Sequence, residues 1–382
     1  MIASDGRAII RVESREELDA ACRQWMAQDQ LAIDTEFMRT DTFYPKAGLL
    51  QLADSKGVYL IDPLAMDSWD LFLDVLQCER IEFILHSASE DLALLLALFG
   101  TLPQRIFDTQ LAAAYAGHGF SLSYQALVER LINVTVPKEE TRSDWLRRPL
   151  SDRQLVYAAN DVCYLIELHG QLKEALIEKQ ALDWFLEDSA ELLVSAHKQE
   201  DPESWEVAYA DISNAWKLSD SGLSNLQALC YWRETEARRR DKPRNWIAKD
   251  NELFAIAYNL ENTDEPTIQQ LGQVEVLSKG LRQRYGQQLI ELLGDRPSLI
   301  AIDEDLLSSP LHPKFRGILK SWRRIIEDKA ERLSIAPELL ARKKWMTELL
   351  KGFQDSGQLN WQHPMTGWRR QQLEQAFLQV LE

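Results

Sequence analysis

Hydrophobic and polar positions change rhythm near residue 89. Before it, short apolar runs are bounded by polar clusters, the pattern of strands. Candidate strands are 8–12 (Ala-Ile-Ile-Arg-Val), 31–37, 48–53 (Gly-Leu-Leu-Gln-Leu-Ala), 58–61 (Val-Tyr-Leu-Ile) and 81–85 (Ile-Glu-Phe-Ile-Leu). Asp54-Ser55-Lys56-Gly57 separates two of them and carries hairpin chemistry. A helix is predicted to open after Ser14, with Glu16 and Glu17 favouring its positive end. From Ser89 onward a helical period takes over, at 89–99, 108–116, 121–132 and 151–178. Strands followed by covering helices predict an α/β domain.

Residues 198–206 (Lys-Gln-Glu-Asp-Pro-Glu-Ser-Trp-Glu) are polar, contain a proline and read as a linker. Beyond them the pattern is helical throughout, broken at Asp241-Lys242-Pro243, Asp264-Glu265-Pro266, Gly294-Asp295-Arg296-Pro297, His312-Pro313 and Asp355-Ser356-Gly357. Two small all-α domains are expected there, dividing near 295–300. The expected organisation is 1–197, a linker at 198–210, then 211–295 and 296–382. A weak internal similarity, Tyr231-Trp232-Arg233 against Ser321-Trp322-Arg323, points the same way.

Length and composition bound the rest. A chain of 382 residues fits two or three domains. No apolar run is long enough to cross a bilayer, and the first residues lack the apolar core of a signal peptide. Cys22, Cys78, Cys163 and Cys230 lie far apart with no Cys-x-x-Cys, so they are expected to be reduced and structural, in a cytoplasmic protein without zinc. The net charge of −17 argues against a nonspecific nucleic-acid coat protein. It leaves a nucleic-acid enzyme open, because binding depends on local patches and on metals.

The most informative run is Leu31-Ala32-Ile33-Asp34-Thr35-Glu36-Phe37. Positions i and i+2 of a strand point to one side, so Asp34 and Glu36 are side by side. Their repulsion becomes binding when a divalent cation is present, since hard oxygen ligands suit Mg²⁺ and Mn²⁺. Two further acids stand out. Asp91 follows the strand 81–85, and Asp161 closes Tyr157-Ala158-Ala159-Asn160-Asp161. On a helix, Tyr157 and Asp161 share a face, and the alanines between leave room for close approach. Taken singly, each has a plain structural reading: a solvated strand edge, a helix-N-terminal acid, a packing tyrosine. Together they are what phosphodiester hydrolysis by two metal ions requires: carboxylates to hold both ions and a group to direct water. Tyr157, with an ordinary pKa of about 10, is expected to orient the attacking nucleophile rather than act as a strong base.

The set Asp34-x-Glu36, Asp91 and Tyr157-x-x-x-Asp161 resembles the DEDD exonuclease superfamily in its tyrosine branch. Flanking segments narrow the resemblance to the ribonuclease D family: Asp34-Thr35-Glu36-Phe37, His86-Ser87-Ala88-Ser89-Glu90-Asp91-Leu92, Phe107-Asp108-Thr109-Gln110, Ser143-Asp144-Trp145 with Arg148-Pro149-Leu150, and Tyr157 to Val162. The resemblance implies a ribonuclease H-like mixed sheet flanked by helices. It also implies a metal-dependent 3′→5′ exoribonuclease that trims stable RNAs, notably tRNA precursors, and releases nucleoside 5′-monophosphates. Two divalent ions, Mg²⁺ or Mn²⁺, are the implied cofactors. Asp34 would bridge both, Glu36 and Asp161 would complete the tighter one, and Asp91 would support the second. Glu36 would also reach the terminal ribose hydroxyl. Asp108 matches a family position that is more often structural than catalytic, and His86 is expected to be packed or to support the site from behind its ligands. The expected substrate is RNA with a single-stranded 3′ end, and the enzyme is taken to work as a monomer with no membrane and no organic cofactor. A DNA exonuclease of the same superfamily and a non-catalytic RNA-binding scaffold are the alternatives.

Residues 223–257 are similar to the HRDC domain, a small helical nucleic-acid-binding module, and the last segment resembles it more weakly. Arg238, Arg239, Arg240, Lys242, Arg244 and Trp246 are the candidate nucleic-acid contacts there, with Arg233 and Lys249 adding charge. Such a cluster attracts phosphates in a salt-dependent way. The competing reading is a solvated helix face paired through Glu234, Glu236 and Asp241. A second basic stretch runs through Lys314, Arg316, Lys320, Arg323, Arg324 and Arg342-Lys343-Lys344.

Overall fold

The computed structural model describes residues 1–137, 143–263, 265–295, 297, 299–307 and 309–381, without the side chain of Asp355. The breaks expected at Asp264 and Arg296, and the domain division at 296, fall outside those residues. Six strands form one mixed sheet: β1 (Ala8–Val12), β2 (Gln30–Met38), β3 (Lys46–Ala53), β4 (Gly57–Ile61), β5 (Glu82–Leu85) and β6 (Arg105–Asp108). Their order is β1-β4-β3-β2-β5-β6. β2, β3 and β4 form an antiparallel meander, while β1, β5 and β6 add in parallel at the two flanks. The β3–β4 turn follows its sequence: Asp54 accepts hydrogen bonds from the Lys56 and Gly57 amides. β6 was not expected. Only Ile106 and Phe107 of its four residues are apolar, and its pairing with β5 makes it a strand.

Strand alternation sorts the core into two layers. Leu31, Ile33, Leu50, Leu52, Tyr59 and Phe83 pack against α1 (Arg15–Trp25), α2 (Asp70–Leu76) and α3 (Ser89–Phe99). Ala32, Leu49, Ala53, Leu60, Ile84 and Phe107 face the other way. That face is covered by α4 (Thr109–Tyr115), α5 (Tyr124–Ile132), α6 (Asp152–Cys163), α7 (Leu165–Glu178) and α8 (Leu182–Glu200). Asp34, Glu36 and Gln51 fall, by alternation, on this second face. The helix expected over 151–178 is two helices, separated at Tyr164. The stretch expected as a linker is instead the end of α8 followed by α9 (Pro202–Glu206), capped by Asp201 with Pro202 at its first position.

The remaining helices behave unequally. α10 (Asp220–Arg239), α11 (Arg244–Ile247), α12 (Asp250–Asn259), α13 (Ile268–Gln273) and α14 (Lys279–Asp295) enclose a core of their own, which also takes in Phe43. α15 (Arg316–Leu333), α16 (Pro337–Leu340), α17 (Lys343–Ser356) and α18 (Gly367–Leu378) share one continuous core with the helical layer of the sheet domain. Trp184 stacks on Trp368 at 4.8 Å, Asp188 pairs with the buried Arg369, and the Ala336 amide donates to the Ala114 carbonyl at 3.1 Å. Among the described residues, no helix is long and apolar enough to cross a membrane.

Candidate active site

β2 carries Asp34 and Glu36 to its end, where a bulge at Glu36/Phe37 bends the strand. α6 lies over this end. Its Ala158 and Ala159 are fully buried, and their small side chains let the helix approach the sheet. Asp161 is thereby lowered onto the strand: carboxylate oxygens of Asp34, Glu36 and Asp161 all lie within 4.8 Å of one another. Asp91 comes from the opposite layer, in the first turn of α3. It is buried, and the Thr35 hydroxyl donates to it at 2.5 Å. The structure thus gathers three of the four expected acids into one cluster and holds Asp91 beside them through Thr35, a contact not foreseen from the sequence.

Burial and mutual repulsion hold these groups far from their usual ionisation. Burial, then Asp161, lifts Asp34 well above the carboxylate range. Burial, followed by the charges of Asp34, Asp161 and Asp91, pushes Glu36 up to about 9. Asp161 rises to about 7 by burial, opposed by a hydrogen bond from Tyr157, and burial and Asp34 raise Asp91. Among the described residues no lysine or arginine compensates this charge. Converging oxygen ligands with no internal counter-charge are the donor set of a hard divalent cation, so the residues fit Mg²⁺ or Mn²⁺. Tyr157 is itself shifted upward, by burial and by Asp161 and Glu36, so it stays protonated and donates to Asp161.

The segment after residue 142 fixes Tyr157. Arg148 pairs with Asp62 at 2.6 Å and donates to the Gly48 and Trp145 carbonyls, both at 2.7 Å. Trp145 is buried beside Tyr157, ring centroids 6.2 Å apart. Only a glycine fits beneath it, because a Cβ at position 48 would meet the Trp145 Cβ at 2.6 Å. Asp108 and His86 are structural. Asp108 accepts from the amides of Ser87, Ala88, Gln110 and Leu111, and His86 bonds Thr109 and the Leu122 carbonyl.

A groove of about 1010 Å³ opens between the β2–β3 connection, α8 and the first helical unit. Arg39, Lys198, Arg244 and Trp246 line it, and Arg39 pairs with Glu90, the neighbour of Asp91. The basic cluster of this unit divides into two kinds. Arg238 departs from expectation: its side chain is only 7% exposed, ion-paired with Glu200 and Glu234, and sandwiched between Phe43 and Trp205 at 4.4 and 3.9 Å. It fastens the unit rather than facing solvent. Arg239 pairs with Glu236 but remains exposed, Arg240 donates to the Tyr285 hydroxyl, and Arg244 bonds Glu234. Lys242 bonds the Asp41 carbonyl, and Trp246 is 58% exposed. Asp241 accepts from the Phe43 and Tyr44 amides, tying the unit to the loop after β2. Arg233 is buried against Asp250.

A family profile described as 3′-5′ exonuclease matches residues 9–177, and one described as HRDC domain matches residues 223–293. Ribonuclease D of Pseudomonas paraeruginosa is 41% identical, over 94% of this chain and 94% of its own length. Ribonuclease D of Escherichia coli K12 is 33% identical, over 97% of this chain and 98% of its own length. The crystal structure of the Escherichia coli enzyme, an exoribonuclease involved in structured RNA processing, superposes with a TM-score of 0.83 at 32% identity, covering 98% of both chains.

Proposed function

The chain belongs to the ribonuclease D family and is a 3′→5′ exoribonuclease, and from that premise we propose that it trims single-stranded 3′ tails of structured RNAs, tRNA precursors foremost, releasing nucleoside 5′-monophosphates by two-metal-ion hydrolysis. The observation that carries this reading is the convergence of Asp34, Glu36 and Asp161 within 4.8 Å. Asp34, Glu36 and Asp161 would hold one ion, and Asp34 with Asp91 the second. Bound there, the cations would offset the charge of the phosphodiester and make water a stronger nucleophile.

The remaining work falls to side chains. Tyr157 keeps its proton on the bond to Asp161 and offers its oxygen to orient the attacking water. Glu36 is the partner for a terminal ribose hydroxyl; of the two such hydroxyls only the 2′ one separates RNA from DNA. Upstream nucleotides would run along the groove past Arg39, Lys198 and Arg244, with Trp246 as a stacking platform. Arg239, Arg240 and Lys242 would add positive charge on the same helical unit. We assign the chemistry to 1–197, with 198–210 as connector and 211–295 and 296–382 as the units that hold RNA, in a monomer acting in the cytoplasm.

The test is incubation of purified protein with a tRNA bearing a 3′ extension, and with a DNA tail of the same sequence, with Mg²⁺, with Mn²⁺ or with chelator. Stepwise shortening of the RNA only when metal is present is expected. Equal shortening in chelator would overturn the metal reading, and a preference for DNA the substrate.

A further inference from the structure

Gln51 interrupts the apolar run of β3. It is fully buried, and neither its Nε2 nor its Oε1 has a hydrogen-bond partner among the described residues. An unsatisfied buried polar group costs about 1–3 kcal/mol, a penalty a leucine or methionine would avoid. The register says where this amide lies: Gln51 stands opposite Asp34 on β2 and Leu60 on β4. Directly opposed residues project to the same face, with Cβ atoms about 4.5–5.5 Å apart. That face lies under α6, because Leu49 and Ala53 on either side pack into that layer. Asp34 has the complementary deficit. Asp91 receives the Thr35 hydroxyl and Asp161 the Tyr157 hydroxyl, while Asp34 is bonded by the Thr35 amide of the backbone. A carboxylate short of side-chain donors faces an amide short of acceptors.

We propose that Gln51 is a positioning residue for Asp34: its Nε2 donates, directly or through one buried water, to the carboxylate when that carboxylate turns to a divalent cation. Hydrogen bonds to a ligating carboxylate fix which oxygen faces the metal, and losing such a partner typically weakens affinity 10–100-fold. A neutral amide suits the position, since lysine or arginine there would compete with the cation for the same charge. The inference rests on the metal reading of the site.

Gln51→Leu and Gln51→Met test it on the full chain without RNA, by the resonance signal of free Mn²⁺ during titration and by thermal unfolding in chelator. Both variants are expected to bind Mn²⁺ 10–100-fold more weakly than the parent, while melting no lower in chelator, because two unsatisfied atoms are gone. If the parent itself took up no Mn²⁺, the metal reading would fail and this inference with it. A parent that binds, with variants that bind equally well, would overturn the role of Gln51 alone. Failure of both variants to fold would also overturn it, showing that the amide supports the core and not the carboxylate.

Discussion

Glu36 offers the sharpest quantitative prediction, because its folded and unfolded states differ so much in proton affinity. Buried, and beside Asp34, Asp161 and Asp91, it holds its proton up to about pH 9, against an ordinary value of 4.5. An acid whose folded pKa is raised binds more protons folded than unfolded, so it lowers stability as pH climbs from 4.5 towards 9. At about 1.4 kcal/mol per pH unit, the metal-free protein at pH 7 loses at most about 3.5 kcal/mol at this residue, less whatever water screens there. Asp34, Asp91 and Asp161 are raised too and act in the same direction, whereas Glu82 is lowered to about 2 despite burial, by His169 and Lys173. Its contribution is complete above 4.5 and does not vary in this window. In chelator, Glu36→Gln is therefore expected to be more stable than the parent, with the gap widening from pH 5 to pH 8. In excess Mg²⁺ the gap narrows, and at pH 5 and 6 the order reverses: the parent gains the binding free energy, about 2.7 kcal/mol at a hundred times its Kd, and the variant gains little of it. Urea unfolding at pH 5, 6, 7 and 8, with and without Mg²⁺, measures both. A parent more stable than Glu36→Gln in chelator at pH 8, or stability rising with pH there, would refute the claim that repulsion is built into the empty site.

Tyr157→Phe removes the donor to Asp161 and the oxygen proposed to orient the attacking water; kcat should fall by roughly 10²-fold, the low end for a proton-handling group, and Mn²⁺ affinity in calorimetry should weaken about 10–100-fold, because Asp161 loses its hydrogen-bond partner. Arg369→Ala leaves the Asp188 charge in the seam between α8 and α18 with the Tyr115 hydroxyl but no cation and should cost about 3–5 kcal/mol in urea unfolding. Arg244→Ala with Trp246→Ala should raise KM for a tailed tRNA about tenfold, given a stacking contribution of about 1–3 kcal/mol per base, while leaving hydrolysis of a trinucleotide unaltered.

How much of this was legible in the chain depends on the range of the interactions involved. β2, β3 and β4 announce themselves because alternation and the Asp54 turn are local. Asp34 with Glu36, and Tyr157 with Asp161, are spaced by the periods of their own elements, so each pair could be placed on a face before any tertiary contact was known. β6 could not, since four residues with two apolar ones become a strand only by lying beside β5. The stretch 198–206 misled because a polar, proline-bearing sequence also describes a capped helix start. The basic run near 238 misled for a different reason. Its charge is plain in the sequence, but Glu200, which pairs with Arg238, sits 38 positions away. The fusion of α15–α18 with the sheet domain's core likewise rests on contacts such as Asp188–Arg369, 181 positions apart.

These failures share a cause with the site's own design. A catalytic acid cluster is locally readable because function demands rigid, regularly spaced ligands, and strands and helices supply such spacing. What holds the cluster together against its own repulsion is not local. Thr35 reaches Asp91 across 56 positions, and Arg148 fastens Trp145 against Gly48 from 100 positions away. Those contacts act on a strand end and a helix whose cores are already packed on both sides, so the acids cannot relax apart when no cation is present. The resulting crowding of buried, proton-holding acids is what a preformed site of the proposed kind would carry, one that takes a cation without first having to assemble.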